Sequence, residues 1–530
     1  MDIADRNEKL KIFLKPWAVL AIILVLAAAL RLMGLGTRGV WLDEAYEIGI
    51  VNGAAVKDII TGLRNDVSPP LHYIILAQVT KLFGPHELHL RLPSVLFGLL
   101  LIAAVYGMMR RMFPETQSAF ISALFITLSP VDIFYSQEIR PYSMLALLGV
   151  VSFFSLTRGL ATGRLFWWIT CSISLILTFF THYSSGILFL SFIAVAVFTA
   201  PDRARLMQFV IAGIPLAAVF ILWYPEFQIH SHNAGFHTSS AVWSSLGARV
   251  ALLSFNTFMG AYDIPSYLLR VPSSPLEALA YAVYVPSIVL AVRDCFSGRV
   301  EKEQRTFLIS LLIYGALSYA IILMAAMTGR AALLPGRTDF IIYPAVVMLA
   351  GYGLSRFNQP WRSIALCTAI LISCLSLNRY YSDTSRFNDR TVALNHIPSI
   401  AKPHDAILLT TAIAESYKYY LSESGSRLAI LEYPSSFLSR CNTNTDMSES
   451  DLQKEADMTA GRIDDYFRKA PPGSGLIVVL QLEDPHVKYL YEKLGKSFSM
   501  DPDTQLITVE SSTTFHPYIV GRIVPVSRQP

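Results

Sequence analysis

Two short polar runs carry the residue types needed to take a proton and to hold a phosphate. The first, Trp41-Leu42-Asp43-Glu44-Ala45, follows the first apolar stretch of membrane length, and the second, Ser136-Gln137-Glu138-Ile139-Arg140-Pro141-Tyr142, follows a later one. A carboxylate such as Asp43, Glu44 or Glu138 can accept the proton of an attacking hydroxyl. The planar guanidinium of Arg140 matches a phosphate bidentately, and Gln137 and Tyr142 are partners for phosphate or for hydroxyls. Each run also has a plain structural reading. Asp43 is a good helix N-cap and shares a helix face with Glu47 at i, i+4. Arg140-Pro141 reads equally as a surface ion pair followed by a helix start. Polar groups at a membrane edge are costly to keep without a partner, which favours function in the second run.

Weaker candidates lie elsewhere. His182-Tyr183 ends an apolar stretch, and Arg330 and Arg337 share one loop, from which Arg337 can reach an anionic headgroup. His230, His232 and His237 read as a solvated loop rather than a metal site, and Arg91 reads as a snorkelling anchor for its helix. There is no Cys-x-x-Cys spacing. Of the five cysteines only Cys441 is in the polar C-terminal region, so no disulfide forms within it.

The elements that must position these groups follow from composition. Of 530 residues, 53% are hydrophobic and 15% charged, against roughly a quarter charged in soluble domains. This is a membrane protein. The net charge of +4 is small and dispersed, which excludes nucleic acid as a partner. About eleven spans are predicted, at 17–34, 92–109, 117–134, 141–157, 165–182, 186–200, 206–224, 276–292, 306–328, 339–355 and 361–378. The first is read as a retained helix rather than a cleaved signal peptide, since no small-residue cleavage site precedes Arg31. Beyond the first, the span cores are read as free of Asp, Glu, Lys and Arg.

Basic clusters at Lys11/Lys15, Arg110/Arg111, Arg158/Arg164, Arg203/Arg205, Arg293 to Arg305 and Arg356/Arg362 alternate with the polar runs. The positive-inside rule makes them cytoplasmic and places Asp43, Glu138, His182, the 225–275 loop, Arg337 and the C-terminal region outside. Residues 69–83 would invert every later loop if they crossed. They are read as a re-entrant or interfacial helix, capped by Ser68 and begun by Pro69. Segment 43–53 is read as an amphipathic helix on the membrane surface. Beyond about residue 380, strands at 405–409, 428–432 and 476–482 alternate with helices at 413–422, 450–469 and 486–495. The organisation is thus a membrane domain over 1–380 and an extracytoplasmic α/β domain, on a partly parallel sheet, over 381–530.

Together the motifs Trp41-Leu42-Asp43-Glu44-Ala45, Ser68-Pro69-Pro70-Leu71-His72-Tyr73, Arg91-Leu92-Pro93-Ser94 and Tyr135-Ser136-Gln137-Glu138-Ile139-Arg140-Pro141-Tyr142 resemble, in order, the GT-C membrane glycosyltransferases related to protein O-mannosyltransferases. They are similar in particular to lipid A aminoarabinose transferases and rhizobial lipopolysaccharide galacturonosyltransferases. The resemblance covers residues 15–380 and is strongest over 30–145. It implies a polytopic α-helical GT-C protein of the bacterial inner membrane that transfers a sugar, with inversion, from a polyprenyl-phosphate donor at the outer face. The acceptor is an envelope glycan, a lipid or a protein hydroxyl. By the same resemblance Asp43 is the catalytic base, His72 and Tyr73 border the donor cavity, and Arg337 matches a late-loop arginine.

Where the aminoarabinose transferases carry a Glu-Lys pair before the double proline, this chain has Val67-Ser68. The resemblance therefore carries over neither metal binding nor that donor specificity. No metal ligands are assigned, and a divalent ion stays open as a cofactor because guanidinium groups or a metal can meet the charge of a leaving phosphate. The expected site comprises Asp43, Glu44, Glu138 and Arg140 as catalytic groups, with His72, Tyr73, Gln137, Tyr142, His182 and Arg337 binding substrate. The rival readings are a flippase or transporter of lipid-linked sugars and a receptor using its outer domain. Transport sites lie near the midplane, whereas the polar residues here cluster at span ends.

Overall fold

The computed structural model describes residues 16–65, 68–233, 254, 257–260, 275–328, 336–383, 385–433, 449–481, 485–509 and 518–526. Contacts divide them into two compact units. One takes the described residues of Met1–Leu35, Gly53–Ser231 and Phe236–Ser382; the other takes those of Gly36–Asn52, His232–Gly235 and Asp383–Pro530. The short segment bearing Asp43 thus groups with the C-terminal residues, although more than 300 residues of sequence separate them.

The first unit is a helical bundle. A helix forms at each of the eleven predicted spans. Six are long and apolar enough to cross a membrane: Glu87–Met112, Tyr142–Thr162, Arg203–His232, Leu276–Phe296, Lys302–Met327 and Trp361–Ser382. A bent pair, Ser118–Thr127 with Pro130–Ser136, makes a seventh, and Pro16–Leu32, Leu165–Thr181, Ser185–Thr199 and Phe340–Ser355 are shorter. The bend of 60° falls where the sequence predicted one straight span. Its cause is Pro130, which lacks an N–H and drives Ser129 to an extended ψ of 117°. The Ser129 hydroxyl then accepts from the Asp132 N–H and starts a new helix.

Two other starts differ from expectation for similar reasons. Ser68 and Pro69 each precede a proline and are kept out of the helical region, so the short helix begins only after Pro70, as Leu71–Phe83. Asp43 is not the N-cap of its helix; that position is Trp41, and Asp43 lies in the first turn of Leu42–Val51. The helix after Arg203 continues through Pro215 and Pro225 to Asn233, which removes His230 and His232 from the predicted loop. Prolines are tolerated inside membrane helices, where neighbours re-satisfy the freed carbonyls. His230 is buried and pairs with the Tyr183 hydroxyl at 2.8 Å; His237, Arg330, Val67 and Cys441 lie outside the described residues.

Helix ends sort the charges. At one end Asp294 is buried and binds Arg293 at 2.9 Å, Arg356 at 3.1 Å and the Tyr352 hydroxyl at 3.0 Å, and Arg158 pairs with Glu303. Helix Tyr142–Thr162 starts at the other end, where the second polar run lies.

The second unit contains one sheet of six strands: β1 (Ala406–Thr410), β2 (Ala429–Tyr433), β3 (Leu476–Gln481), β4 (Phe498–Met500), β5 (Ile507–Val509) and β6 (Tyr518–Pro525). Strand β1 pairs in parallel with β2 and β3, while β6 runs antiparallel to β3, β4 and β5. The unbroken apolar run of β1 is buried throughout, as expected of a parallel strand covered on both faces. Leu408, Leu476, Val478, Ile463 and Leu490 fill the core between this sheet and helices Glu449–Lys469 and Pro485–Ser497. Arg522 is buried on β6, donating to Asp405 at 2.7 Å and pairing with Asp501.

Candidate active site

The second polar run is held by a buried ion pair. Arg31, in the last turn of helix Pro16–Leu32, meets Asp132 at 2.5 Å with both side chains fully buried. The guanidinium also donates to the Ser136 hydroxyl at 3.2 Å and to the carbonyls of Ala27 and Ile126 at 3.3 and 3.2 Å. Such a pair repays its desolvation only when its remaining polar atoms are satisfied; the open helix ends supply acceptors for the guanidinium, while the second carboxylate oxygen of Asp132 is buried without a hydrogen bond. Gly98 makes the room, since a Cβ there would overlap the Ser136 hydroxyl and come within 3.1 Å of Arg31 Nε.

Gln137 continues this framework. Its amide nitrogen donates to the carbonyls of Arg31 and Met33, each at 2.9 Å, and its oxygen accepts from the Tyr380 hydroxyl at 2.6 Å. Gln137 is thus engaged by the scaffold. Tyr381 adds a bond of 2.6 Å to the Leu30 carbonyl. Ser94 donates to the Arg140 carbonyl at 3.3 Å, and Arg91 donates to the Leu35 carbonyl at 2.8 Å. Arg91 is fully buried rather than snorkelling. Its helix begins at Glu87, which puts Arg91 a turn inside the packing.

This frame presents a cationic cluster built on one ring. Arg140 and Arg337 lie 5.8 and 6.0 Å from the centroid of Tyr142, and Arg337 Nε donates to the Tyr142 hydroxyl at 2.8 Å. The His182 ring stands 5.9 Å from that of Tyr142. Arg337 is carried by a tight turn in which the Gly336 N–H donates to the Asp339 carboxylate at 2.7 Å. Gly336 has φ +79°, and a Cβ there would press on Thr257. Four residues from three distant parts of the sequence therefore meet at one end of the bundle.

The electrostatics follow from burial. His182 is pushed down to about 4, first by burial and then by the charges of Arg140 and Arg337, so it is neutral at physiological pH. Its Nδ1 accepts from the Ser184 N–H at 3.1 Å, which leaves the proton on Nε2. Burial raises the carboxyl of Asp339 to about 7. Two guanidinium groups and a neutral imidazole N–H make a set of donors suited to a phosphate.

Residues 67–226 match the family model described as dolichyl-phosphate-mannose-protein mannosyltransferase. The fold is similar to the crystal structure of ArnT from Cupriavidus metallidurans bound to undecaprenyl phosphate, with a TM-score of 0.53 and 14% identity over 96% of this chain and 99% of that one. The apo state of the same protein gives a TM-score of 0.53 and 14% identity over 94% and 97%. The chain thus has an ArnT-like fold. No curated protein sequence matches it.

The other expected residues are distributed as follows. Glu138 is fully buried beside Gln137 in the second run. His72 and Tyr73 are fully buried on helix Leu71–Phe83 and form an edge-to-face pair at 6.2 Å. Asp43 and Glu44 belong to the second unit, with Glu44 and Glu47 fully buried and Asp43 half-buried.

Arg31, Asp132, Tyr380 and Asp339 were not among the expected residues. Asp132 corrects the reading of charge-free span cores, since it lies inside the predicted 117–134 span. The signal was present: a lone carboxylate in an apolar run requires a cation partner, and Arg31 ends the first span.

Proposed function

We propose that the protein is an inverting glycosyltransferase of the bacterial inner membrane, moving a sugar from a polyprenyl-phosphate donor to a hydroxyl of an envelope glycan, lipid or protein at the outer face. The observation that carries this reading is the convergence of Arg140, Arg337 and neutral His182 on Tyr142 at one end of the bundle. The likeness to a fold whose crystal structure was determined with undecaprenyl phosphate bound supports the donor class. The outer-face assignment rests on the positive-inside rule, with Asp294, Arg356 and Arg158 at the opposite helix ends.

In the reaction, the acceptor oxygen forms a bond to the anomeric carbon as the bond from that carbon to the phosphate oxygen breaks. The acceptor proton passes to a carboxylate, the role that the family resemblance gives Asp43, and the electron pair leaves with polyprenyl phosphate. Arg140 and Arg337 stabilise the charge gathering on that phosphate, His182 donates from Nε2, and Glu138 orients a sugar or acceptor hydroxyl. Inversion requires no covalent enzyme intermediate.

The transporter reading has one observation in its favour, the buried charges of Arg31 and Asp132. Their mutual pairing and the surrounding carbonyls make them a structural clamp at a helix end instead of a carrier site.

The test is release of polyprenyl phosphate by the purified protein in detergent, supplied with polyprenyl-phosphate sugars and envelope acceptors. Turnover that falls at least a hundredfold in Asp43→Asn, with unchanged thermal unfolding, is expected. Near-normal turnover of that variant would sink the base assignment, and no release with any donor would sink the class.

A further inference from the structure

We infer that the C-terminal α/β unit is a positioning device for the helix that carries Asp43, with Tyr420 as its principal grip. This rests on the assignment of Asp43 as the base. The segment Gly36–Asn52 and the residues from Asp383 onward form one compact unit. Helix Leu42–Val51 packs on helix Thr411–Glu423. Just ahead of the Asp43 helix, the Val40 N–H donates to the Tyr420 hydroxyl at 2.6 Å, with both residues fully buried. Four residues earlier, Arg390 donates to the Gly36 carbonyl at 3.0 Å. The segment leading into the helix is therefore gripped at two backbone atoms.

Both grips hang on one buried chain of hydrogen bonds. Tyr518 on β6 donates its only proton to Asp389 at 2.6 Å, and Asp389 precedes Arg390. Because that proton is committed, the 2.7 Å contact between Tyr417 and Tyr518 has Tyr417 as donor. Tyr417 lies one turn before Tyr420 on the same helix. Strand β6, helix Thr411–Glu423 and helix Ser385–Thr391 are thereby locked together, and the backbone before Asp43 is referred to them. Helix Leu42–Val51 begins two residues after the Val40 grip, so the anchor acts directly at its start. A base displaced by about 1 Å can lose about a hundredfold in rate; a grip that fixes its helix acts on kcat without touching substrate.

The experiment uses the full-length protein with Tyr420→Phe, which removes the hydroxyl and keeps the ring. Expected are a fall in kcat of about tenfold, an unchanged KM for the polyprenyl-phosphate sugar, and faster amide exchange at Val40 and in the first turn of helix Leu42–Val51. In the Asp43→Asn background, Tyr420→Phe should lower the residual rate no further, since coupled residues are non-additive. Val478→Ala in the sheet core serves as control: it should lower the unfolding temperature and leave kcat in place. Unchanged exchange at Val40 overturns the positioning device, whatever the chemistry. Faster exchange with the same tenfold loss in the Asp43→Asn background keeps the grip and removes Asp43 as what it serves. Equal loss of kcat in Val478→Ala reduces Tyr420 to a general stabiliser and overturns the proposal.

Discussion

The two polar runs look alike in sequence, yet they are held by opposite means. The run at 136–142 is fastened by a fully buried ion pair, Arg31 with Asp132, closed off by helix-end carbonyls. The run at 41–45 sits on a helix whose lead-in is held by single hydrogen bonds at its backbone, from Val40 to the neutral Tyr420 hydroxyl and from Arg390 to Gly36. Inside an apolar bundle, charge gives a polar anchor strength at the risk of a large loss if one partner goes. In the α/β unit a neutral hydrogen bond, net worth about 1 kcal/mol, is enough to fix a backbone atom. The first anchor decides whether the bundle holds; the second sets where a short helix lies.

The largest expected effect tests that contrast directly. Asp132→Ala leaves Arg31 charged in an apolar interior and should cost about 3–5 kcal/mol, seen as lost yield and a much lower unfolding temperature in detergent. Replacing both partners by apolar residues, Arg31→Met with Asp132→Leu, should restore most of the unfolding temperature. It should not restore turnover, because Ser136 loses its guanidinium partner. If Asp132→Ala unfolds like the unmodified protein, the ion pair is not what fastens the second run.

A middle effect concerns the arginines that the clamp presents. Arg140→Lys and Arg337→Lys keep the charge and lose the planar fork, and each should reduce kcat/KM by about 10²-fold with little change in unfolding temperature. Arg64→Lys, in a pair with Glu226 whose arginine is 47% exposed, should change neither. Equal activity of Arg140→Lys and the unmodified protein would mean that a point charge is sufficient and that the ring-stacked geometry has no role.

How much of this was legible in the sequence depends on distance along the chain. The eleven bundle spans and, in the α/β unit, strands β1 to β3 with the three helices predicted among them left a local trace, because apolar periodicity and turn residues act within a few positions, whereas the short helices Val56–Gly62 and Ser385–Thr391 did not. Arg140 and Tyr142 could be read as a pair for the same reason. What stayed hidden were partnerships across the chain. Asp132 asked for a cation, but only the fold shows that Arg31 answers it 101 residues away. Val40 meets Tyr420 across 380 residues, and no property of either side chain announces it. Proline effects are local as well: both Ser129-Pro130 and Ser68-Pro69-Pro70 displace the predicted boundaries through the restriction on the residue before a proline.

The smallest effect separates the two regions by their response to acid. The tyrosines that anchor the Asp43 helix are held protonated, since burial drives Tyr417 and Tyr518 well upward. They are silent below neutral pH. The bundle site instead carries two groups shifted in opposite senses. His182 is lowered from 6.5 to about 4, so between those values the unfolded chain binds the extra proton and stability falls as pH drops from 6.5 toward 4. Asp339 is raised from 3.8 to about 7, so over that range the folded protein binds the extra proton and stability falls as pH rises. From pH 4 to 6.5 the two contributions oppose each other, near one proton each way. His182→Asn removes the first and should make the unfolding temperature, relative to the unmodified protein, decline as pH rises from 4 to 6.5. Asp339→Asn removes the second and should make it climb over the same interval. Tyr420→Phe should change neither slope, because a phenol keeps its proton throughout that interval; a new acid-dependent slope in that variant would mean that the Val40 grip depends on a charged group, and the contrast between the two runs would fail.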